Sequence, residues 1–206
     1  MGVRSVGRLR GSLTIVLINN QHPGTFIHAI GVDDAQGAKL ATSHLIAMGH
    51  RVIGHLRGPA GHRASQNRLT GYRSALKHAG IAFDPSLVRI GDGRAPGGEQ
   101  ILSLVSQSPR PTAVFCYNDM MAIGALAALK RIGMRVPQDM SLVGFDDIPF
   151  AQYVDPPLTT IRQPMEDMGQ RAMHMALTLM NENKSQVQNL VIAGELVVRA
   201  STIARS

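Results

Sequence analysis

Residues 113–147 read AVFCYNDMMAIGALAALKRIGMRVPQDMSLVGFDD, and this stretch decides the predicted fold. Its apolar run Ala113–Tyr117 predicts a buried strand, and the spacing that follows predicts a helix over Asp119–Ile132, ended by Gly133. A second apolar run, Ser141–Phe145, predicts the next strand. The order strand, helix, strand favours two parallel strands whose connecting helix covers one face of the sheet.

The same alternation continues on both sides of this stretch. Upstream, the pattern predicts strands over Thr14–Ile18, Arg51–Leu56 and Leu87–Ile90, and helices over residues 33–48, Ala64–Ala79 and Pro96–Ser106. Downstream, it predicts strands over Leu158–Ile161 and Leu196–Val198, and a helix over Met165–Met180. Alternating strands and helices predict an α/β protein with parallel sheets that are covered by helices on both faces.

The composition of the chain narrows the class of protein. Of its 206 residues, 44% are hydrophobic, which is enough apolar material for a buried core. No apolar run approaches the ~20 residues that a transmembrane helix needs. The 21 lysines and arginines exceed the 14 aspartates and glutamates, giving a net charge of +7. Because the arginines are scattered singly and not interleaved with aromatic residues, this charge does not by itself predict nucleic-acid binding.

Catalytic and metal-binding motifs are absent from the sequence. Cys116 is the single cysteine and is interpreted as a small core residue, which excludes a disulfide framework and a cysteine-rich metal site. There is no Gly-x-Ser-x-Gly elbow, no Walker loop and no His-Glu-x-x-His motif, and the glycine-rich segment 91–98 is interpreted as a strand-to-helix loop. We therefore expect no metal, no cofactor and no enzymatic activity. Without a secretory signal pattern, a cytoplasmic location is expected.

Polar residues follow several predicted strands directly. In an open α/β sheet, ligands bind at the carboxyl ends of the strands, so this position favours binding residues. The rule selects Asn19, Asn20, Asn118, Asp119, Asp146 and Asp147. Asp119 is interpreted as the N-cap of the following helix, and Asp147 is compatible with a simple turn. Asn118 and Asp146 are the strongest candidates for hydrogen bonds to a polar ligand.

Several motifs, in order from about residue 13 onward, resemble the effector-binding domain of LacI/GalR-type transcriptional regulators. These motifs are residues 31–37 with 45–51, residues 68–73 (RLTGYR), residues 111–119 (PTAVFCYND), residues 136–147 (VPQDMSLVGFDD), residues 156–163 and residues 195–202. Each motif alone is a weak signal, but jointly they are specific.

This resemblance implies a periplasmic-binding-protein-like fold. In that fold, two doubly wound parallel-sheet subdomains are joined by crossing strands. A small polar effector is expected to bind in the cleft between them. A sugar is the default ligand, and a purine base is the alternative. Residues 1–32 and 164–192 are expected to form an incomplete N-terminal subdomain, and residues 33–163 and 193–206 the C-terminal one. The DNA-binding headpiece of the family is not recognised in this sequence, so operator DNA is expected as a partner only through such a headpiece.

The resemblance also implies which residues bind the effector. Arg68, Asn118 and Asp146 would be polar contacts, and Asn19 a fourth. Asp33 is expected to support Arg68, and His62 to line the pocket. Gly93 stands where the family usually carries an aromatic residue that stacks on the ligand. The ligand is therefore expected to be small, or its stacking partner to lie elsewhere.

The family assembles as homodimers, and the resemblance implies the same for this chain. The expected interface residues are Ile123, Leu126 and Val154, with burial inside the subdomain as the alternative for them. Two other functions remain open at this point. A sugar-binding receptor of a transporter shares the fold, and an α/β sugar enzyme would use Asp146 and Arg68. The missing signal pattern, the motif at residues 136–147 and the missing catalytic motifs favour a regulator.

Overall fold

A computed structural model describes residues 14–19, 27–181 and 187–205 of the chain. The strands are β1 Val16–Ile18, β2 His28–Val32, β3 Ile53–Arg57, β4 Val88–Ile90, β5 Ala113–Cys116, β6 Ser141–Asp146, β7 Thr159–Arg162, β8 Asn189–Ile192 and β9 Glu195–Val197. The helices are α1 Asp34–Ala47, α2 Arg63–His78, α3 Ile101–Val105, α4 Asp119–Arg131 and α5 Met165–Asn181. The predicted α/β class is confirmed, because strands and helices alternate along most of the chain.

The chain divides into two compact units. One contains Met1–Asp33 and Pro164–Ala193, and the other contains Asp34–Gln163 and Gly194–Ser206. That these units are the two subdomains of the predicted fold stays a prediction.

The larger unit contains a six-stranded sheet in the order β4-β3-β5-β6-β7-β9. All neighbouring strands are parallel except β7 and β9, which are antiparallel. The central strands β5 and β6 are almost fully buried, as expected for parallel strands covered on both faces. Leu56, Val114 and Leu142 pack with Met121 and Leu129 of α4 in one core cluster. Because β3, β5 and β6 run parallel, their carboxyl ends meet at one edge of the sheet.

The smaller unit contains the parallel sheet β1-β2-β8. Helix α5 packs on it through Met168, Ala172 and Met175, which contact Ile30 in a second core cluster. The sequence pattern missed both β2 and β8. Each is short, and neither shows a clean alternation of apolar and polar residues in its sequence, which is the signal that identifies a strand covered on one face.

The predicted helix over Pro96–Ser106 is wrong in detail. A 3₁₀ helix over Ala95–Gln100 precedes the single turn of α3. The 3₁₀ segment lies directly against α4, because a Cβ atom on Gly98 would overlap the carbonyl oxygen of Met121. The close approach of two backbones at Gly98 therefore determines the path of this segment more than helical periodicity does.

Candidate functional site

The strongest candidate residues lie at the carboxyl edge of the six-stranded sheet. Strand β6 ends at Asp146, and β5 ends at Cys116, after which Tyr117 and Asn118 lead into α4. Arg68 lies on α2 and reaches this edge from the side. The structure thus brings Arg68 and Asp146 together, with Asn118 following the tyrosine that Arg68 contacts.

Internal contacts fix the Arg68 guanidinium. Its Nε donates to Asp34 Oδ1 at 2.8 Å, and Nη1 donates to the carbonyl oxygen of Tyr117. The guanidinium carbon lies 3.6 Å from the ring centroid of Phe145 and 4.7 Å from that of Tyr117. Arg68 is only 4% exposed. Because a guanidinium is a planar fork of donors, this setting leaves Nη2 as the donor that faces the Asp146 carboxylate, 3.6 Å away.

The carboxylate that accepts a hydrogen bond from Arg68 Nε belongs to Asp34, the neighbour of Asp33, for which the sequence predicted this role. Asp34 is the first residue of α1, which packs closely against α2. A Cβ atom on Gly71 of α2 would lie 2.9 Å from the Cβ of Ala38 in α1. This close approach brings the start of α1 to the Arg68 side chain.

Asp146 combines a strained backbone with a partly exposed carboxylate. Its φ of 119° lies in the left-handed half of backbone space, which non-glycine residues rarely adopt. Its Oδ1 accepts a hydrogen bond from Gln163 Nε2 at 2.5 Å, and its side chain is 27% exposed. Burial raises the pKa of this carboxyl, whereas Arg68 and the Gln163 amide favour its charged form.

Gln163 is a site residue that the sequence reasoning missed. It comes directly after β7 and is hydrogen-bonded through its backbone N to Asp146 O at 3.3 Å. Its position just after a strand is the same signal that selected Asn118 and Asp146. The predicted strand ends at Ile161, one residue before the observed end at Arg162, so the rule places Arg162 and not Gln163 directly after the strand.

The residue that caps α4 is Asn118 and not, as the sequence predicted, Asp119. Asn118 is the N-cap of α4, since its Oδ1 accepts a hydrogen bond from Met121 N at 2.9 Å. Its Nδ2 donates to Gly93 O at 2.8 Å and so ties the loop after β4 to α4. The prediction of Asp119 as the N-cap is wrong, because Asp119 already lies inside the helix. Its buried carboxylate instead accepts hydrogen bonds from Ile148 N and Thr160 Oγ1.

The aromatic side chain beside Gly93 is Tyr117. Gly93 has a φ of +81°, and a Cβ atom on it would lie 3.6 Å from Tyr117 Cε1. The Tyr117 ring also lies against Gly58, where a Cβ atom would approach its Cδ2 to 2.6 Å. A side chain at position 58 would displace this ring, whereas a Cβ atom at position 93 would only touch it. An aromatic group is therefore present near the site, although Gly93 itself carries none.

The remaining predicted contacts lie at other positions. Asn19 follows β1 in the smaller unit, and its Oδ1 accepts from Val32 N at 3.4 Å. Asp33 belongs to the same unit, and its backbone N donates to Ile192 O at 2.8 Å. His62 is the N-cap residue of α2 and makes no side-chain cap hydrogen bond. Asn20 lies outside the described residues, and the binding roles of Asn19, Asp33 and His62 stay predictions.

Among the described residues, no three His, Cys, Asp or Glu side chains are grouped as metal ligands. Within the same ranges, no helix combines the length and apolar character that crossing a membrane requires. Cys116 is buried in β5, and this burial raises the pKa of its thiol, which disfavours the reactive thiolate.

The sequence of this chain matches a known domain family and a known transcriptional repressor. Residues 42–202 match the family model of the periplasmic binding protein-like domain. The chain is 36% identical over 201 residues to the HTH-type transcriptional repressor CytR of Escherichia coli strain K12, a match that covers 97% of this chain and 59% of that protein. This chain therefore spans about three fifths of that relative. The periplasmic-binding-protein-like fold that the sequence motifs implied is confirmed.

Solved structures agree with this match. A regulatory protein of the LacI family from Chloroflexus aggregans is 31% identical, with a TM-score of 0.86 over 97% of this chain and 72% of that one. A LacI family transcriptional regulator from Enterococcus faecium, with bound ribose, is 26% identical, with a TM-score of 0.90 over 100% of this chain and 77% of that one. These relatives are regulators by name.

Proposed function

The chain belongs to the LacI family of transcriptional regulators, and from this membership we propose that it binds a small polar effector, a sugar, at the carboxyl edge of its six-stranded sheet. Binding there regulates transcription without turnover of the ligand. A regulator acts where the chromosome lies, so the proposed location is the cytoplasm.

One observation carries this proposal. The Arg68 guanidinium is held by Asp34 and by the Tyr117 carbonyl, and its Nη2 stands beside the partly exposed carboxylate of Asp146. A fixed donor next to a fixed acceptor matches a sugar hydroxyl, which both donates and accepts hydrogen bonds. Because these groups are preorganised, a ligand loses little binding energy to ordering them.

Asn118 has fewer hydrogen-bonding groups left for a ligand than Asp146 and Arg68 have. Its amide caps α4 and holds the Gly93 carbonyl, so one N–H and one lone pair remain. We therefore assign the strongest ligand contacts to Asp146 and Arg68, and a secondary one to Asn118. The ribose bound to the Enterococcus faecium relative supports a sugar as the ligand class.

The test is a series of thermal melts with D-ribose, D-galactose, cellobiose, adenine and cytosine. A ligand at 100 times its Kd adds about 2.7 kcal/mol, which raises the Tm of a chain of this size by about 5 to 10 °C. We expect one of the sugars to produce this shift. A shift with a nucleobase and with no sugar contradicts the proposed ligand class.

Asp146→Asn tests the site itself. The amide preserves the size of the side chain and can still accept from Gln163, but it loses the charge that strengthens a hydrogen bond to a sugar hydroxyl. We expect sugar affinity, measured by titration calorimetry, to fall about tenfold to hundredfold. Asp139→Asn is the matched control, because Asp139 pairs with Arg135 at the surface. Equal affinity of the Asp146→Asn variant and the wild type contradicts the proposed site.

We also propose that the regulator is a homodimer. We propose operator DNA as a partner only where the regulator also carries a DNA-binding segment. The name of the CytR relative, an HTH-type repressor, indicates such a segment in that protein.

A further inference from the structure

A second carboxylate lies buried next to the proposed binding site. Asp119, the first residue of α4, is fully buried. Its Oδ2 accepts a hydrogen bond from Ile148 N at 2.9 Å, and its Oδ1 accepts one from Thr160 Oγ1 at 2.5 Å. Ile148 lies two residues after Asp146, and Thr160 lies on β7. One carboxylate therefore connects α4, the segment after β6 and the neighbouring strand.

The backbone of β6 leaves room for this carboxylate. A Cβ atom on Gly144 would overlap Asp119 Oδ1, so only glycine is compatible with the observed approach. Gly144 lies two residues before Asp146 on the same strand. Asp119 thus contacts the chain on both sides of the residue that faces Arg68.

The segment between these two contacts has a strained conformation. Asp146 and Asp147 both have positive φ, at 119° and 58°. Non-glycine residues keep such angles only where the surrounding structure holds them. The Asp147 side chain is held by Arg162 at 2.6 Å and by Arg199 at 2.7 Å. The backbone directly after the strained pair is held by the hydrogen bond from Ile148 N to Asp119.

We propose that Asp119 is a positioning residue for Asp146. By holding the Ile148 amide and the Thr160 hydroxyl, it keeps the turn at residues 146–147 in the conformation that directs the Asp146 carboxylate toward Arg68. This role rests on the proposed function, because the property it sets is the affinity of the effector site.

The charge of Asp119 depends on its surroundings. The pKa of Asp119 is raised to about 7, mainly by burial and to a smaller extent by the Asp146 and Asp147 carboxylates, while the Thr160 and Ile148 hydrogen bonds act to lower it. The Cys116 thiol of β5 interacts with the same carboxylate. Since a charged carboxylate is a stronger acceptor than a neutral acid, the hold on the Ile148 amide strengthens as pH rises through this pKa. Effector affinity is therefore expected to rise over the same range.

The experiment compares the wild type with Asp119→Asn and Thr160→Val, using D-ribose as the probe. Ribose affinity is measured by calorimetry one pH unit below and one above the Asp119 pKa of about 7. Hydrogen exchange of the Ile148 amide is measured by NMR under the same conditions. Asp139→Asn is the control, since it removes another aspartate that accepts from a backbone amide, that of Arg135.

We expect Asp119→Asn to weaken ribose binding about tenfold and to abolish its pH dependence, while the Ile148 amide exchanges faster. Thr160→Val should act in the same direction, and Thr160→Ser should restore wild-type behaviour because it keeps the hydroxyl. A purely structural role for Asp119 would leave the pH dependence of ribose affinity unchanged in a folded variant. That result overturns the proposal.

Failure of the proposed function gives a different result. If ribose does not bind the wild type, the assignment of ribose as effector fails, and the Ile148 amide alone decides the role of Asp119. Faster exchange in Asp119→Asn, with unchanged exchange in Asp139→Asn, supports the positioning role. Unchanged exchange in Asp119→Asn overturns it.

Discussion

Two buried ionisable residues, His55 and Asp119, respond to pH in opposite ways. His55 lies between the rings of Tyr72 and Phe115, with centroids at 5.2 and 4.9 Å. Its Nδ1 donates to Phe115 O at 2.9 Å, and its buried Nε2 contacts no hydrogen-bond partner among the described residues. A ring in this setting is neutral, and burial lowers the pKa of His55 to about 4.

The signs of the two stability contributions follow from these pKa values. The pKa of His55 is 6.5 in the unfolded chain and about 4 in the folded one. Its contribution to the free energy of unfolding is therefore fully present above pH 6.5 and is lost as pH falls toward 4. Asp119 titrates at 3.8 when unfolded and at about 7 when folded, so its contribution is present below pH 3.8 and is lost as pH rises through 7. In the wild type we therefore expect the two contributions to the free energy of unfolding to offset one another between pH 4 and 7.

In Asp119→Asn, the effect of His55 on the free energy of unfolding should no longer be offset. In this variant we expect the free energy of unfolding, measured with urea, to fall by about 3 kcal/mol between pH 6.5 and 4. His44 and His50, whose pKa values are also lowered by burial, act in the same direction. Asp139→Asn should keep the shallow wild-type profile. If Asp119→Asn and the wild type lose equal stability on acidification, Asp119 does not offset the effect of His55.

At the residue scale, the sequence selected several residues that lie at the carboxyl edge of the six-stranded sheet, but not the local contacts of each one. Asp33 and Asp34 are adjacent, as are Asn118 and Asp119, and each pair offers two side chains suited to the same task. For the second pair the start of α4 decides, because the capping residue is the one before the first helical residue. Helix boundaries are uncertain by one or two residues from sequence alone, which is why the sequence predicts the cap of α4 at Asp119 whereas it lies at Asn118.

At the scale of elements, α4 and α5 each contain a glycine, and only the one in α4 is closely packed against another segment. Gly124 of α4 faces the 3₁₀ segment, and a Cβ atom there would overlap the carbonyl of Ala95. Gly169 of α5 has no atom within 4 Å of such a Cβ. Helical propensity favours alanine at both positions, so the packing against Ala95 decides the difference.

Gly124→Ala should destabilise the chain, and Gly169→Ala should stabilise it. We expect Gly124→Ala to lower the free energy of unfolding by about 1 to 3 kcal/mol, because the backbones of two segments must separate. Gly169→Ala should raise it by roughly 0.5 to 1 kcal/mol through lower entropy of the unfolded chain. Urea unfolding of both variants measures these changes. Equal effects of the two substitutions would contradict the close packing of α4 on the 3₁₀ segment.

The elements that the sequence predicted well are those with strong local signals. Helix α4 and strands β5 and β6 carry long apolar patterns bounded by glycine and polar residues. The 3₁₀ segment depends on a backbone contact with α4 that lies more than twenty residues away in sequence, as the Gly98 and Met121 positions show. Such contacts leave no periodic signal, so a local pattern predicts an ordinary helix there.

At the scale of the whole molecule, the larger unit exposes two aromatic side chains close together in sequence. Phe150 is 70% exposed and Tyr153 is 78% exposed, in and beside the 3₁₀ helix Pro149–Gln152. Of the predicted interface residues, Leu126 belongs to the core cluster and Val154 packs against it, whereas Ile123 is half-buried. Exposed aromatic residues are the side chains most enriched at protein interfaces, so Phe150 and Tyr153 are better anchors than Leu126 or Val154.

We therefore expect the wild type to sediment as a homodimer at twice the chain mass of 22.1 kDa. Replacing both Phe150 and Tyr153 with serine should give a monomer, because the two rings supply the apolar area that a two-fold interface buries twice. Both side chains are exposed within the chain, so the monomer's own free energy of unfolding should change little. Met173→Ser, which removes an exposed apolar residue of α5 in the smaller unit, should leave the dimer intact. A double variant that remains dimeric would place the interface elsewhere, and a wild type that sediments as a monomer at all concentrations would remove the homodimer from the proposed function.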